Sequence, residues 1–175
     1  MRKRVKVLAG VLACGLAAGA QATTDMKLHG TLVAEPCVVA PGDDQVALDF
    51  GEVANKDLYR SGRTAGKAFQ LRLTGCDLSI AKNVRVTFSG SENSKLPGLL
   101  ALDGASQAGG VAVGLETPAG TPLALGKASD QYQLKAGSTV IDLQAYVRAE
   151  PQTVTDKSLT LGSFSTAATF TLDYP

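Results

Sequence analysis

Apolar and polar residues alternate with a period of two along most of the chain, and this pattern limits the possible folds more than any other feature. Successive side chains of a strand point to opposite faces, so the alternation predicts strands with one buried and one exposed face. No segment after residue 22 shows the 3.6-residue stripe of a helix, which predicts an all-β chain. The apolar positions are Val46/Leu48/Phe50, Phe69/Leu71/Leu73, Val84/Val86/Phe88, Val111/Val113/Leu115, Ile141/Leu143/Ala145/Val147 and Ala168/Phe170/Leu172/Tyr174.

Glycine and proline separate these groups, as in Pro41-Gly42, Pro97-Gly98 and Gly109-Gly110. Such residues favour tight turns, and short antiparallel strands at this spacing predict an immunoglobulin-like β-sandwich. No interdomain linker or internal repeat interrupts the pattern, so one domain is expected.

The N-terminus has the three parts of a secretory signal peptide. Four basic residues precede an apolar run over residues 7–19, and small residues follow at Ala20-Gln21-Ala22. Cleavage is predicted between Ala22 and Thr23, which leaves a soluble, extracytoplasmic protein. An alternative is lipidation of Cys14, since Val11-Leu12-Ala13-Cys14 also resembles a lipoprotein cleavage site.

Charge and chemistry exclude several classes of function. Four of the 17 basic residues lie in the leader, which leaves 13 against 16 acidic residues and argues against nucleic-acid binding. The single histidine, His29, lies near the mature N-terminus, and Asp43-Asp44 follows a turn, where aspartate is common. No catalytic residue, metal site or cofactor is therefore assigned.

Two cysteines, Cys37 and Cys76, remain after the leader is removed. In an oxidising compartment such a pair is expected to form a disulfide, and two free thiols are the alternative. Closing a loop of about 40 residues contributes roughly 4 kcal/mol in the chain-entropy model.

Both ends of the mature chain alternate in a way that suggests pairing outside the domain. Met26, Leu28, Gly30 and Leu32 would share one face of a strand directly after the cleavage site, although an ordinary first strand of the sandwich is the alternative. The last strand, within residues 162–175, stops at the chain end and leaves an apolar edge open. A free strand and an open edge could complete each other between molecules.

Several segments, in this order and spacing, resemble subunits of chaperone-usher pili of the type 1 fimbrial protein family. They are HGTLVAEPC ending at Cys37, FQLRLTGC ending at Cys76, VRVTFSG at 84–90, VAVGLETPAGTPLALG at 111–126, and the last strand with penultimate Tyr174.

The resemblance implies an incomplete immunoglobulin-like β-sandwich, completed by a donor strand from another subunit. It implies that Met26, Leu28, Gly30 and Leu32 belong to the donor strand, and that Cys37 and Cys76 form the family's disulfide. It further implies that Ala168, Phe170, Leu172 and Tyr174 border the acceptor groove and bind a periplasmic chaperone. The terminal Pro175 departs from the polar residue often found there.

The implied partners are the chaperone, an outer-membrane usher and neighbouring pilin subunits, with any host receptor contacted only indirectly. The implied location is the cell surface, reached through the periplasm, in a fibre that supports adhesion. The implied organisation is a signal peptide at 1–22, a donor-strand extension at 23–35 and a pilin domain at 36–175. The VAEPC run at 33–37 resembles minor, adaptor-like subunits. A single-domain carbohydrate-binding adhesin is the alternative function, although the chain has no tryptophan to stack on a sugar.

Overall fold

The structure, a computed structural model, describes residues 34–175. These residues form seven strands and two short helices. The strands are β1 (Val38–Val39), β2 (Lys67–Cys76), β3 (Asn83–Gly90), β4 (Val111–Glu116), β5 (Tyr132–Gln133), β6 (Gly137–Ala149) and β7 (Ala168–Asp173). The helices are α1 (Asn55–Ser61) and α2 (Pro151–Thr155).

The strands form two antiparallel sheets, ordered β1-β2-β6-β4 and β5-β3-β7. In the first sheet Leu71 of β2 lies opposite Ile141 of β6, and in the second Phe88 of β3 lies opposite Phe170 of β7. The inward-facing side chains of both sheets form one core, as the period-two pattern predicts. Its fully buried members include Leu71, Leu73, Val84, Val86, Ile141 and Leu143.

A disulfide joins Cys37, just before β1, to Cys76 at the end of β2, with the Cα atoms 4.2 Å apart. The pairing expected from the sequence is therefore present. Because the sulfurs and the β1–β2 ladder hold the same two segments, the short strand β1 is fixed at the edge of its sheet.

The prediction of a strand at Val46/Leu48/Phe50 is wrong. Residues 45–50 are irregular and make no backbone–backbone hydrogen bond with any other described residue. A strand requires a neighbour to pair with, and here the alternating pattern is present without that neighbour. Leu48 and Phe50 nevertheless pack against the core, whereas Val46 is exposed.

The expectation of no helix after residue 22 is also wrong in detail. Helix α1 buries Leu58 and ends at Gly62, whose φ of 72° and N–H bond to the Leu58 carbonyl form a left-handed cap. Helix α2 begins at Pro151, a residue whose fixed φ suits the first helical position. Both helices are too short for a 3.6-residue stripe to be visible in the sequence.

Strand β4 departs from the expectation of one solvent-exposed face, because all six of its residues are buried. The ring of Tyr146 on β6 lies over Gly114, where an added Cβ would come within 2.3 Å of the ring. The Arg63 guanidinium lies 3.6 Å from the centre of that ring and forms two hydrogen bonds, of 2.9 and 2.6 Å, with the Glu116 carboxylate. This cluster covers the outer face of β4.

Within residues 34–175, no helix has the length and apolar character needed to cross a membrane.

Candidate functional site: an apolar groove beside β7

Among the strands of residues 34–175, β7 lies at the edge of its sheet and has one hydrogen-bonded neighbour, β3. No backbone–backbone hydrogen bond connects its other edge to any residue in the range 34–175. A row of N–H and C=O groups is therefore available for pairing with a further strand.

Residues 45–50 lie across from this free edge, and a groove of about 650 Å³ separates them from β7. Phe170 lines the groove from β7, and Leu48 and Phe50 line it from the opposite wall. The floor consists of core side chains, namely Leu71, Phe88, Leu100, Val113 and Leu115. The groove thus opens directly onto the interior of the sandwich, so a strand placed in it would complete the core.

One end of the wall at 45–50 is tied to the first sheet by an ion pair. The Arg72 guanidinium donates to both Asp43 carboxylate oxygens, at 2.6 and 2.8 Å, and the Arg72 backbone N–H also donates to Asp43 at 3.1 Å. Hydrogen bonding from the Arg72 side chain lowers the pKa of Asp43 below its ordinary value, against the opposing effect of burial. Asp43 thus stays charged to lower pH and anchors the start of the wall.

The C-terminal end of the β7 wall is tied to the disulfide region. The Tyr174 hydroxyl donates to the Cys37 carbonyl oxygen at 3.4 Å, and burial raises the pKa of Tyr174. The Tyr174 side chain, just after the end of β7, therefore packs against the core of the domain.

Of the four side chains predicted to border the groove from this strand, Phe170, Leu172 and Tyr174 are half-buried and Ala168 is exposed. Phe170 contacts Phe88 across the β3–β7 ladder, with ring centres 6.5 Å apart. Ala168 and Phe170 line the groove itself, whereas Leu172 lies further along the strand.

The N-terminal predictions lie outside the described residues. They are the cleavage site at Ala22 and Thr23, the donor positions Met26, Leu28, Gly30 and Leu32, the histidine His29, and the alternative lipid site Cys14.

The sequence interpretation missed the second wall of the groove. Leu48 and Phe50 were assigned to an ordinary strand, and their alternation gives no sign that the partner is absent. A second apolar cavity of about 470 Å³ was also missed. Leu58, Val111, Val147 and Phe164 line it, and they come from four distant parts of the chain.

The described residues offer no arrangement for metal binding, since residues 34–175 contain no group of three or more His, Cys, Asp or Glu side chains close enough to share an ion. Glu116, the buried carboxylate on β4, is bound on both oxygens by Arg63. The groove has an apolar floor and mainly apolar walls, which suits a hydrophobic partner.

Comparison with known proteins gives the same assignment as the sequence motifs. A family model described as Fimbrial protein matches residues 26–175. The chain is 31% identical over 170 residues to the fimbrial adapter PapK of Escherichia coli. The alignment covers 94% of this chain and 95% of PapK. It is 29% identical over 172 residues to the fimbria A protein of Serratia marcescens, and that alignment covers 96% of both proteins.

The fold agrees with this assignment. The crystal structure of the P pilus rod subunit PapA matches with a TM-score of 0.69 and 22% identity, over 81% of this chain and 100% of PapA. The predicted fold, an all-β, incomplete immunoglobulin-like sandwich, is confirmed, and the structural-subunit function is favoured over the single-domain adhesin. The chain therefore belongs to the fimbrial protein family, as a structural subunit of a cell-surface fimbria.

Proposed function

We propose that the groove between residues 45–50 and β7 accepts a strand donated by a neighbouring subunit. The observation that supports this proposal is the free edge of β7 beside an apolar groove whose floor is the core. A strand in the groove would pair with the free edge through backbone hydrogen bonds and pack against the core side chains that form its floor.

The strand that this chain donates in turn is the segment at 24–33, with Met26, Leu28, Gly30 and Leu32 facing the neighbour's groove. Burying each of the three large apolar side chains contributes about 1.5 to 3 kcal/mol, offset in part by the ordering of the segment. The proposed organisation is a signal peptide at 1–22, a donor-strand extension at 23–35 and a pilin domain at 36–175.

A periplasmic chaperone covers the same groove before assembly, in contact with Ala168, Phe170, Leu172 and Tyr174, and an outer-membrane usher then exchanges it for the next subunit's extension. An uncovered groove would leave a strand edge and apolar core exposed, which favours aggregation. The role is structural, without catalysis or a cofactor, and a host receptor is contacted only indirectly.

Two substitutions distinguish the donation of a strand to the preceding subunit from the acceptance of a strand in this chain's own groove. Leu28→Asp should block incorporation onto the preceding subunit, because a carboxylate in an apolar groove costs several kcal/mol, while chaperone capture stays intact. Phe170→Asp should reduce chaperone capture and the periplasmic level of the subunit, because the groove is then poorly covered. The measurements are fibre incorporation on the cell surface and the amount of chaperone recovered with the subunit.

Each variant has a matched control. Thr31→Asp places the same charge on the opposite face of the proposed donor strand. Val140→Asp places it at a position of β6 that is 46% exposed. Both control variants should assemble normally. Normal assembly of Leu28→Asp, or of a chain without residues 24–33, would contradict strand donation.

A further inference from the structure

The groove beside β7 and the second apolar cavity lie on either side of one aromatic contact. The rings of Phe50 and Phe164 have centroids 6.1 Å apart and planes inclined by 35°. Phe50 lines the 650 Å³ groove, and Phe164 lines the 470 Å³ cavity. Phe50 comes from the irregular wall and Phe164 from the segment that leads into β7, so the contact bridges the two walls.

Phe164 is held rigidly by hydrogen bonds on both sides. The Ser163 carbonyl accepts from the backbone N–H groups of Gln107 and Ala108, at 2.8 and 3.0 Å. The Ser165 carbonyl accepts from the Asp103 N–H at 2.8 Å, and the Ser165 N–H donates to the Ser106 hydroxyl at 3.0 Å. The loop at 103–108 therefore fixes the Phe164 backbone.

Phe50 is held much less firmly. Its segment, 45–50, makes no backbone–backbone hydrogen bond to the described chain, and the Lys67 ammonium on the Asp49 carbonyl is a side-chain tether. Gly51 follows at once with a φ of 64°, a conformation that glycine adopts without strain. The Gly51 N–H donates to the Asp49 carboxylate at 2.8 Å, so the tethers near Phe50 are local or come from side chains, and Phe50 is the ring of the pair that is easier to displace.

We propose that Phe50 and Phe164 form a movable partition between the groove and the second cavity, and that an incoming strand opens it by displacing Phe50. This inference rests on the proposed function, because the occupant is the extended, alternately apolar strand of a neighbouring subunit. Once Phe50 is displaced, the strand places an apolar side chain in the cavity lined by Leu58, Val111 and Val147.

The first test measures how fast the mature protein, recovered from the periplasm with its chaperone bound, exchanges the chaperone for a synthetic peptide of residues 23–33. Phe50→Ala removes the aromatic contact and should accelerate uptake about fivefold, the factor that corresponds to a typical aromatic pair. Leu48→Ala is the matched control, since it shortens a side chain of the same wall but leaves the Phe50–Phe164 contact in place. It should not accelerate uptake. Uptake by Phe50→Ala that is no faster than by Leu48→Ala would overturn the proposal.

The second test reports on the partition directly. The chain contains no tryptophan, so Phe164→Trp introduces a single tryptophan at the contact, whose emission can be excited separately from that of the four tyrosines. Peptide binding should shift its emission, because Phe50 leaves the ring and the strand replaces it. Binding without a shift would mean that the partition stays closed, which overturns this inference alone. Failure of the unmodified protein to bind the peptide would overturn the proposed function as well.

Discussion

At the scale of single residues, Asp43 anchors the start of the groove wall formed by residues 45–50. Its carboxylate receives three hydrogen bonds from Arg72, and these lower its pKa below the ordinary value of 3.8. A lowered pKa means that the stabilisation is present above the unfolded-state pKa and is lost as the pH falls through the folded-state value. The ion pair therefore holds the wall at neutral pH and releases it in acid.

Asp43→Asn should slow uptake of the 23–33 peptide at pH 7, because the start of the wall is no longer anchored. The difference from the unmodified protein should shrink only as the pH falls below 3.8 and through the lowered pKa of Asp43, where its carboxylate loses its charge. Uptake kinetics across this pH range measure the effect. Asp44→Asn is the control, since Asp44 is absent from the ion pairs seen in residues 34–175. Equal effects of the two substitutions would argue against the anchor.

The disulfide is the second determinant at this scale. Replacing Cys37 and Cys76 together with serine should lower the free energy of unfolding by about 2 to 5 kcal/mol, because the unfolded chain gains freedom and β1 loses its attachment. Urea unfolding of the peptide-bound protein measures the loss, and reduction of the unmodified protein should reproduce it. An unchanged unfolding midpoint would show that the ladder alone holds β1.

At the scale of elements, the packing of β4 against β6 depends on the absence of a side chain at Gly114. The Tyr146 ring occupies the space where a Cβ would stand, and Arg63 covers that ring while binding Glu116. Close-packed interiors tolerate added atoms poorly. One methyl group is therefore enough to disturb the outer face of the first sheet.

Gly114→Ala should destabilise the domain by about 1 to 3 kcal/mol, because the ring must move away from its neighbours. Gly104→Ala is the matched control, since nothing lies within 4 Å of a Cβ added there. Urea unfolding of both variants in the peptide-bound state gives the comparison. Equal stability of the two would mean that Tyr146 moves aside without cost.

At the scale of the whole molecule, core side chains form the floor of the groove, so the stability of the domain should depend on what fills that groove. Ligand linkage predicts a gain of about 2.7 kcal/mol when the 23–33 peptide is present at one hundred times its dissociation constant. Thermal unfolding at increasing peptide concentration measures the gain. A peptide carrying Leu28→Asp should give none, and equal stabilisation by both peptides would contradict specific strand insertion.

The all-β class, the disulfide and the family could all be predicted from the sequence. The alternating groups in β2, β3, β4, β6 and β7 coincide with strands because period-two burial is a local property that each segment carries. The two cysteines that follow residue 22 predict the pairing, and the order of motifs predicts the family.

The place where strand pairing fails is visible only in the three-dimensional packing. The pattern at Val46/Leu48/Phe50 is as regular as that of a true strand, but a ladder depends on a neighbour that lies far away in the sequence or in another molecule. The same holds for the Phe50–Phe164 contact and for the Tyr146 ring over Gly114, which bring together residues 114 and 32 positions apart in the chain. Periodicity reports which face of a segment is apolar, and the packing of whole sheets decides what covers that face.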